Sequence, residues 1–140
     1  MSAADQGPCV CTALRKASRA VSRFYDEALA PTGLTTPQFA VLRQVAGMGD
    51  PPLSRLAEAL VMDRTTLYRT LQPLVRDALL SITPGPGRAK SVHLTDEGRR
   101  RMQAATPPWE AAQAAFLHRF GAAAWAGMVQ DLKRAAEAAG

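Results

Sequence analysis

The sequence predicts a mainly helical α+β chain, with helices at both ends and a helix, a tight turn, a second helix and a hairpin between them. Three observations predict it. Apolar residues recur at three-or-four spacing over most of the length. The period drops to two only at Leu80 and Ile82 and again at Val92 and Leu94, on either side of Pro84-Gly85-Pro86-Gly87. At 140 residues and 47% hydrophobic, the chain is long enough for one domain, 1–140, with a core of its own.

Residues 1–8 are small and polar, and Pro8 marks the entry to a helical pattern starting at Thr12. Leu14, Ala17, Val21, Phe24 and Ala28 form one stripe of this helix, and Arg15, Arg19 and Arg23 another; it should end near Ala30, before Pro31 and Gly33. Thr35 and Gln38 have capping-box spacing, with Pro37 in the first turn, where its missing N–H costs nothing. A helix over 36–46 follows, carrying Phe39, Val41, Leu42 and Val45, and Gly47, Gly49, Asp50, Pro51 and Pro52 break it. A short helix over 54–60 presents Leu53, Leu56, Ala57 and Leu60. Val61-Met62-Asp63 makes a tight turn, Asp63 being a good N-cap for a helix that starts at Arg64. Its buried stripe is Leu67, Leu71, Leu74 and Ala78. Pro73 inside it frees the carbonyl of Arg69, so a kink is expected beyond the N-terminal half.

The hairpin that follows has a basic tip, Arg88 and Lys90. Thr95 caps a long helix to about Phe120, with a bend expected at Pro107 and Pro108. A last helix over 122–139 aligns Trp125, Met128, Leu132 and Ala136.

Helix, three-residue turn, helix and basic hairpin form, in that order, a winged helix-turn-helix. Its second helix can enter the major groove of duplex DNA. Outside the buried stripe this helix carries Arg64, Thr65, Thr66, Tyr68, Arg69 and Gln72, with no acidic residue before Asp77. Arg can fork onto guanine, Thr can touch a thymine methyl or a phosphate, and Gln can pair with adenine. Arg88 and Lys90 would meet phosphate or the minor groove. A chain with 17 Lys and Arg against 12 Asp and Glu suits a polyanionic partner.

The stretches Leu34-Thr35-Thr36-Pro37-Gln38-Phe39-Ala40-Val41-Leu42, Leu56-Ala57-Glu58-Ala59-Leu60, Asp63-Arg64-Thr65-Thr66-Leu67 and Leu94-Thr95-Asp96-Glu97-Gly98 resemble the MarR family of regulators, in the right order over residues 11–139. The resemblance implies a homodimer whose first and last helices, about 11–31 and 96–139, interlock, and a DNA-binding lobe over about 53–94 that reads a palindromic operator. It also implies a repressor released by a signal. Leu14, Val21, Phe24, Trp125 and Leu132 are then expected at the dimer interface. The chain departs from the family at Val61 and Ala78, where glycine is usual, and at Pro86, where an Asp often orients the wing arginine.

Cys11 stands at the start of the first helix, where the helix dipole and Arg15 favour a thiolate. The string Cys11-Thr12-Ala13-Leu14-Arg15-Lys16-Ala17-Ser18-Arg19 resembles the organic-hydroperoxide-sensing branch of the family, whose equivalent cysteine is the sensor. Tyr25 fits one of the tyrosines that hydrogen-bond that cysteine, and Arg15 replaces the other. Three readings stand open: a peroxide sensor at Cys11 resolved by Cys9 or by a cysteine of the partner subunit, a soft-metal pair, or inert thiols. A Cys9–Cys11 disulfide would close a very small, strained ring.

Trp109, Phe116, Phe120 and Trp125 read as dimer core ahead of a ligand cage. Arg15, Arg19 and Arg23 read either as a solvated face pairing with Asp26 and Glu27 or as partners for a small aromatic acid. His93 reads as a wing residue and His118 as a helix-surface one. His93 and His118 have no metal-ligand spacing, and nothing is arranged as a catalytic triad or a phosphate loop, so neither an enzyme nor a cofactor is expected. No apolar run approaches the ~18 residues of a membrane span. The N-terminus does not read as a signal peptide, so the expected location is the cytoplasm. Two alternatives come from other classes: a thiol peroxidase acting through Cys11, and a winged-helix protein-interaction module. The operator and the inducer are not encoded in any motif.

Overall fold

The computed structural model describes residues 2, 5–85, 87 and 89–140. Among them the chain runs α1 (Val10–Leu29), a 3-10 turn (Ala30–Thr32), α2 (Thr36–Met48), α3 (Leu53–Leu60), α4 (Arg64–Arg76), β1 (Leu80–Pro84), β2 (Lys90–Leu94), α5 (Asp96–Phe120) and α6 (Ala122–Ala139). This is the winged helix-turn-helix that the sequence predicts.

The helix ends follow local chemistry. Helix α1 begins two residues ahead of Thr12, because Cys9 takes the extended N-cap conformation (φ −60°, ψ 124°). It stops at Leu29, whose carbonyl accepts from the Thr32 hydroxyl at 2.6 Å, and Gly33 turns the chain with φ 76°. The capping box of α2 is complete: the Gln38 N–H donates to the Thr35 hydroxyl oxygen, and the Thr35 N–H to Gln38 Oε1 at 3.0 Å. Helix α2 runs two residues past Ala46, through Gly47, and ends where Gly49 turns left-handed. Asp26 accepts from the Thr36 N–H at 2.8 Å and from the Thr36 hydroxyl at 2.6 Å, tying α1 to the start of α2. That carboxylate is therefore not a partner of Arg15, Arg19 or Arg23, none of which forms an ion pair among the described residues.

One apolar core serves the whole winged lobe. Phe39, Leu42 and Val45 of α2 meet Leu56 of α3, Leu67, Leu71 and Leu74 of α4, and Leu80 and Val92 of the hairpin. Strands β1 and β2 pair antiparallel from Leu80↔Leu94 to Pro84↔Lys90. The Pro51–Pro52 segment, read in the sequence only as a breaker, also lines this sheet: Pro52 bridges Ser91, and the Val92 N–H donates to the Pro51 carbonyl at 2.9 Å. Proline fits there because an edge position needs no donor from it.

Helix α5 is anchored at its first turn. The Thr95 hydroxyl accepts from the Gly98 N–H at 2.9 Å and donates to the Ala78 carbonyl at 2.6 Å. A Cβ at position 98 would lie 2.0 Å from the Leu79 carbonyl oxygen, so only glycine allows this approach. Further along, Ala105 is buried and Trp109 packs beside Phe39 and Tyr25, at centroid distances of 5.9 and 6.4 Å. The Arg43 guanidinium covers the same indole at 4.1 Å. Trp109 thus packs, half-buried, against the core of its own protomer.

The two ends of the chain differ from this lobe. Residues 10–20 of α1 are all exposed, and no residue of α6 is buried. Val10, Leu14, Phe120 and Leu132 are large apolar side chains left in the open there. No described helix is long and apolar enough to cross a membrane.

Candidate nucleic-acid interface

Helix α3 ends at Leu60 and α4 begins at Arg64, so the turn is the predicted Val61-Met62-Asp63. Val61 adopts the left-handed conformation (φ 54°, ψ 48°) that glycine usually supplies, and the Met62 N–H closes the turn on the Ala57 carbonyl at 2.9 Å. Asp63 caps α4: its Oδ1 accepts from the Thr66 N–H at 2.7 Å. That hydrogen bond, then the Thr66 hydroxyl, holds the Asp63 carboxyl below the ordinary carboxylate range, with a smaller contribution from Arg69.

Leu67, Leu71 and Leu74 are buried, as the stripe requires. Ala78 is not part of it: α4 stops at Arg76, Ala78 has φ 60° and is exposed, and Leu79 takes the inward place. The chain must reverse sharply there to enter β1, and that reversal swings Ala78 outward. The α-helix continues through Pro73 to Arg76. Arg64, Thr65, Thr66, Tyr68, Arg69 and Gln72 are all exposed. None of these six residues carries a negative charge, and the nearest carboxylate before them, Asp63, is occupied as the cap.

The structure brings three of the predicted residues to one place. Arg64, Tyr68 and Lys90 line a groove of about 120 Å³ between the start of α4 and the hairpin, together with Pro52, Leu53, Ser54 and Ala89. Ser54 is the residue that the sequence reading missed. Its only signal is a hydroxyl in the first turn of α3, next to a helix N-terminus that favours anions. The hairpin tip is closed by the Gly85 N–H donating to the Ala89 carbonyl at 2.5 Å. Arg88, predicted to contact DNA from this tip, and Pro86 lie outside the described residues.

The thiols sit at the far end of the chain. Cys9 and Cys11 are both free and exposed. Cys9, not Cys11, holds the N-cap of α1, and the Thr12 N–H, followed by the Thr12 hydroxyl, lowers its thiol below the ordinary range. Tyr25 is buried, donates its hydroxyl proton to Gln113 Oε1, and is raised above the ordinary phenol range by that burial. It lies about 21 Å from Cys11 along α1, at the usual rise of about 1.5 Å per residue, so one protomer does not bring the two together. Among the described residues no group of three or more His, Cys, Asp and Glu could hold a metal ion.

No family model and no curated protein matches the sequence. Solved structures do. The transcriptional regulator MosR of M. tuberculosis, in complex with DNA, is 35% identical, with 94% of this chain and 98% of that chain covered and a TM-score of 0.84. A MarR-family transcriptional regulator from Rhodococcus sp. RHA1 is 22% identical, with 95% and 94% covered and a TM-score of 0.75. PcaV of Streptomyces coelicolor, in complex with its natural ligand, is 24% identical, with 96% and 99% covered and a TM-score of 0.76. The last two share the fold with this chain.

Proposed function

Because the chain belongs to the MarR family of transcriptional regulators, we propose that it binds duplex DNA as a homodimer and represses transcription from a palindromic operator. The observation that carries this reading is the face of α4: exposed Arg64, Thr65, Thr66, Tyr68, Arg69 and Gln72, free of carboxylates, opening onto a groove shared with Lys90. In the complex α4 enters the major groove. Arg64 and Arg69 reach base edges or phosphates, Gln72 and the threonines supply shorter contacts, and Lys90 and Arg88 follow the backbone from the wing. The DNA-bound structure of MosR supports the assignment, since it is a relative that covers nearly the whole chain. A regulator of this kind acts in the cytoplasm.

The signal is read at the paired thiols. The Thr12 N–H favours the thiolate of Cys9, and Cys11 stands two residues on in the first turn of the same helix. Attack of one thiolate on the O–O bond of an organic hydroperoxide gives a sulfenic acid and releases the alcohol. A second thiol then condenses with it to a disulfide and releases water. Formed between subunits, or within the short Cys9–Cys11 ring at the cost of strain, that bond would disturb α1 and the dimer geometry on which operator spacing depends.

Fluorescence anisotropy on the protein's own promoter fragment tests both parts. Reduced protein should bind, and Arg64→Ala and Arg69→Ala should each cost about 1–3 kcal/mol, more on operator than on random DNA if they read bases. Unchanged binding in both variants would remove α4 from the interface and favour a protein-interaction module. One equivalent of organic hydroperoxide should release the DNA, and Cys9→Ser or Cys11→Ser should abolish that release. If oxidised protein binds as well as reduced, the thiols are not the switch and small aromatic acids are the next ligands to test. Repeated turnover of peroxide with a thiol reductant would instead support a peroxidase.

A further inference from the structure

The wing carries a polar chain that DNA reading by α4 does not use. On β2 the His93 ring lies between two groups from different segments. Its Nδ1 is 3.3 Å from Asp50 Oδ2, and its Nε2 is 2.5 Å from Thr83 Oγ1. Asp50 belongs to the α2–α3 link and Thr83 to β1, so one imidazole ties the link to both strands of the hairpin. Asp50 adopts a left-handed conformation (φ 56°), which Asp tolerates better than most residues other than glycine. The inward face of the sheet is held separately by buried Leu80 and Val92, so the outward face has this chain as its own brace.

We propose that Asp50–His93–Thr83 is a proton-dependent brace of the wing, which strengthens DNA binding when His93 is protonated. The inference rests on the DNA-binding reading above. With a neutral ring that carries its proton on Nδ1, the Thr83 hydroxyl donates to Nε2, and Nδ1 stands within ion-pair distance of the Asp50 carboxylate without a hydrogen bond to it. The net charge of the brace is then that of the Asp50 carboxylate. Protonation puts a proton on Nε2, which then donates to the Thr83 oxygen. The carboxylate is neutralised by an adjacent imidazolium, and the Thr83 hydroxyl proton is released for another acceptor.

Asp50 is the one carboxylate within ion-pair distance of the ring among the described residues. Arg43 of α2 and Arg55 and Glu58 of α3, the charged residues of the helices packed against β2, form no ion pair among the described residues; β1 carries no charged residue. Lys90 stands three residues nearer the tip on the same strand, about 10 Å away at the strand rise of about 3.3 Å per residue. That separation is about one Debye length at about 0.1 M salt, so a unit change in charge at His93 reaches phosphates held at the tip only in attenuated form, and more strongly at lower salt. Affinity gained this way is present where the ring carries the second proton and absent where it does not.

The test compares operator affinity at pH 5.5 and 7.5 at fixed salt, in wild type, His93→Gln, Asp50→Asn and His118→Gln. His93 and His118 are the only histidines of the chain, and His118 is exposed on α5, so His118→Gln is the control. Wild type and His118→Gln should bind more tightly at pH 5.5, by up to about twofold, the size expected of one unit charge about 10 Å from a phosphate in water. His93→Gln should bind as wild type does at pH 7.5 and gain less than half of this on acidification. A pH response in His93→Gln equal to that of wild type overturns the proposal. A protein that binds no DNA at either pH overturns the DNA-binding reading instead. The brace then has its own readout without DNA: amide exchange across 80–94 should be several-fold faster in Asp50→Asn and in Thr83→Val. Unchanged exchange in both overturns it.

Discussion

Two residues in the lobe show opposite uses of backbone space. Val61 is a β-branched residue in the left-handed region and is 82% exposed, so it carries strain of about 1–2 kcal/mol and buries nothing in return. Val61→Gly is expected to stabilise the fold by about 1 kcal/mol, part of the relief being offset by the freer unfolded chain. Gly98 has ordinary helical backbone, but the Leu79 carbonyl occupies the place of its Cβ. Gly98→Ala should therefore cost about 1–3 kcal/mol. Urea midpoints at unchanged slope measure both. A destabilised Val61→Gly, or a neutral Gly98→Ala, would refute the respective account. The departure from glycine at Val61 was visible in the sequence, but the demand for glycine at 98 was not, because the atom it avoids comes from the α4–β1 junction.

At the scale of the element, α4 was the most legible part of the chain. Asp63, Arg64 and the leucine stripe mark its start and its buried face, and both are observed. Its end was not legible, since Ala78 continues the periodicity while the chain has already turned to form β1. The cap also gives α4 a defined acid response. Asp63 is lowered by the Thr66 N–H and hydroxyl, so its contribution is present above the ordinary carboxylate value of about 3.9 and is lost as pH falls through its lower folded value. Thermal melts should show Asp63→Ala less stable than wild type at pH 7, with the gap shrinking towards pH 2–3. An equal gap at both pH values would mean that the carboxylate charge is not what caps the helix.

Over the whole molecule, the core-bearing lobe and the bare terminal helices make different demands. Leu14 and Leu132 are 42% and 38% exposed on helices with little to cover them within the protomer. A second copy placing its own α1 and α6 there would bury this surface, at roughly 25 cal/mol per Å² of apolar area. The double variant Leu14→Glu/Leu132→Glu is expected to sediment as a monomer at micromolar concentration and to lose operator affinity, with its helical content retained. A persistent dimer would place the interface on another face.

What the sequence determined by itself was everything that local chemistry decides. Thr35 and Gln38 start α2, Val61-Met62-Asp63 joins α3 to α4, Thr95 starts α5, and Ala122 and Ala139 bound α6, because caps, turns and periodicity act within a few residues. Tertiary structure decided what depends on partners far apart in the chain. It placed Trp109 between Phe39 and Tyr25, brought Pro52 to Ser91, gathered Arg64, Tyr68 and Lys90 around one groove, and set His93 between Asp50 and Thr83. No periodicity encodes such meetings. They follow from burying one shared core, which fixes where the side chains on its outer surface come to lie.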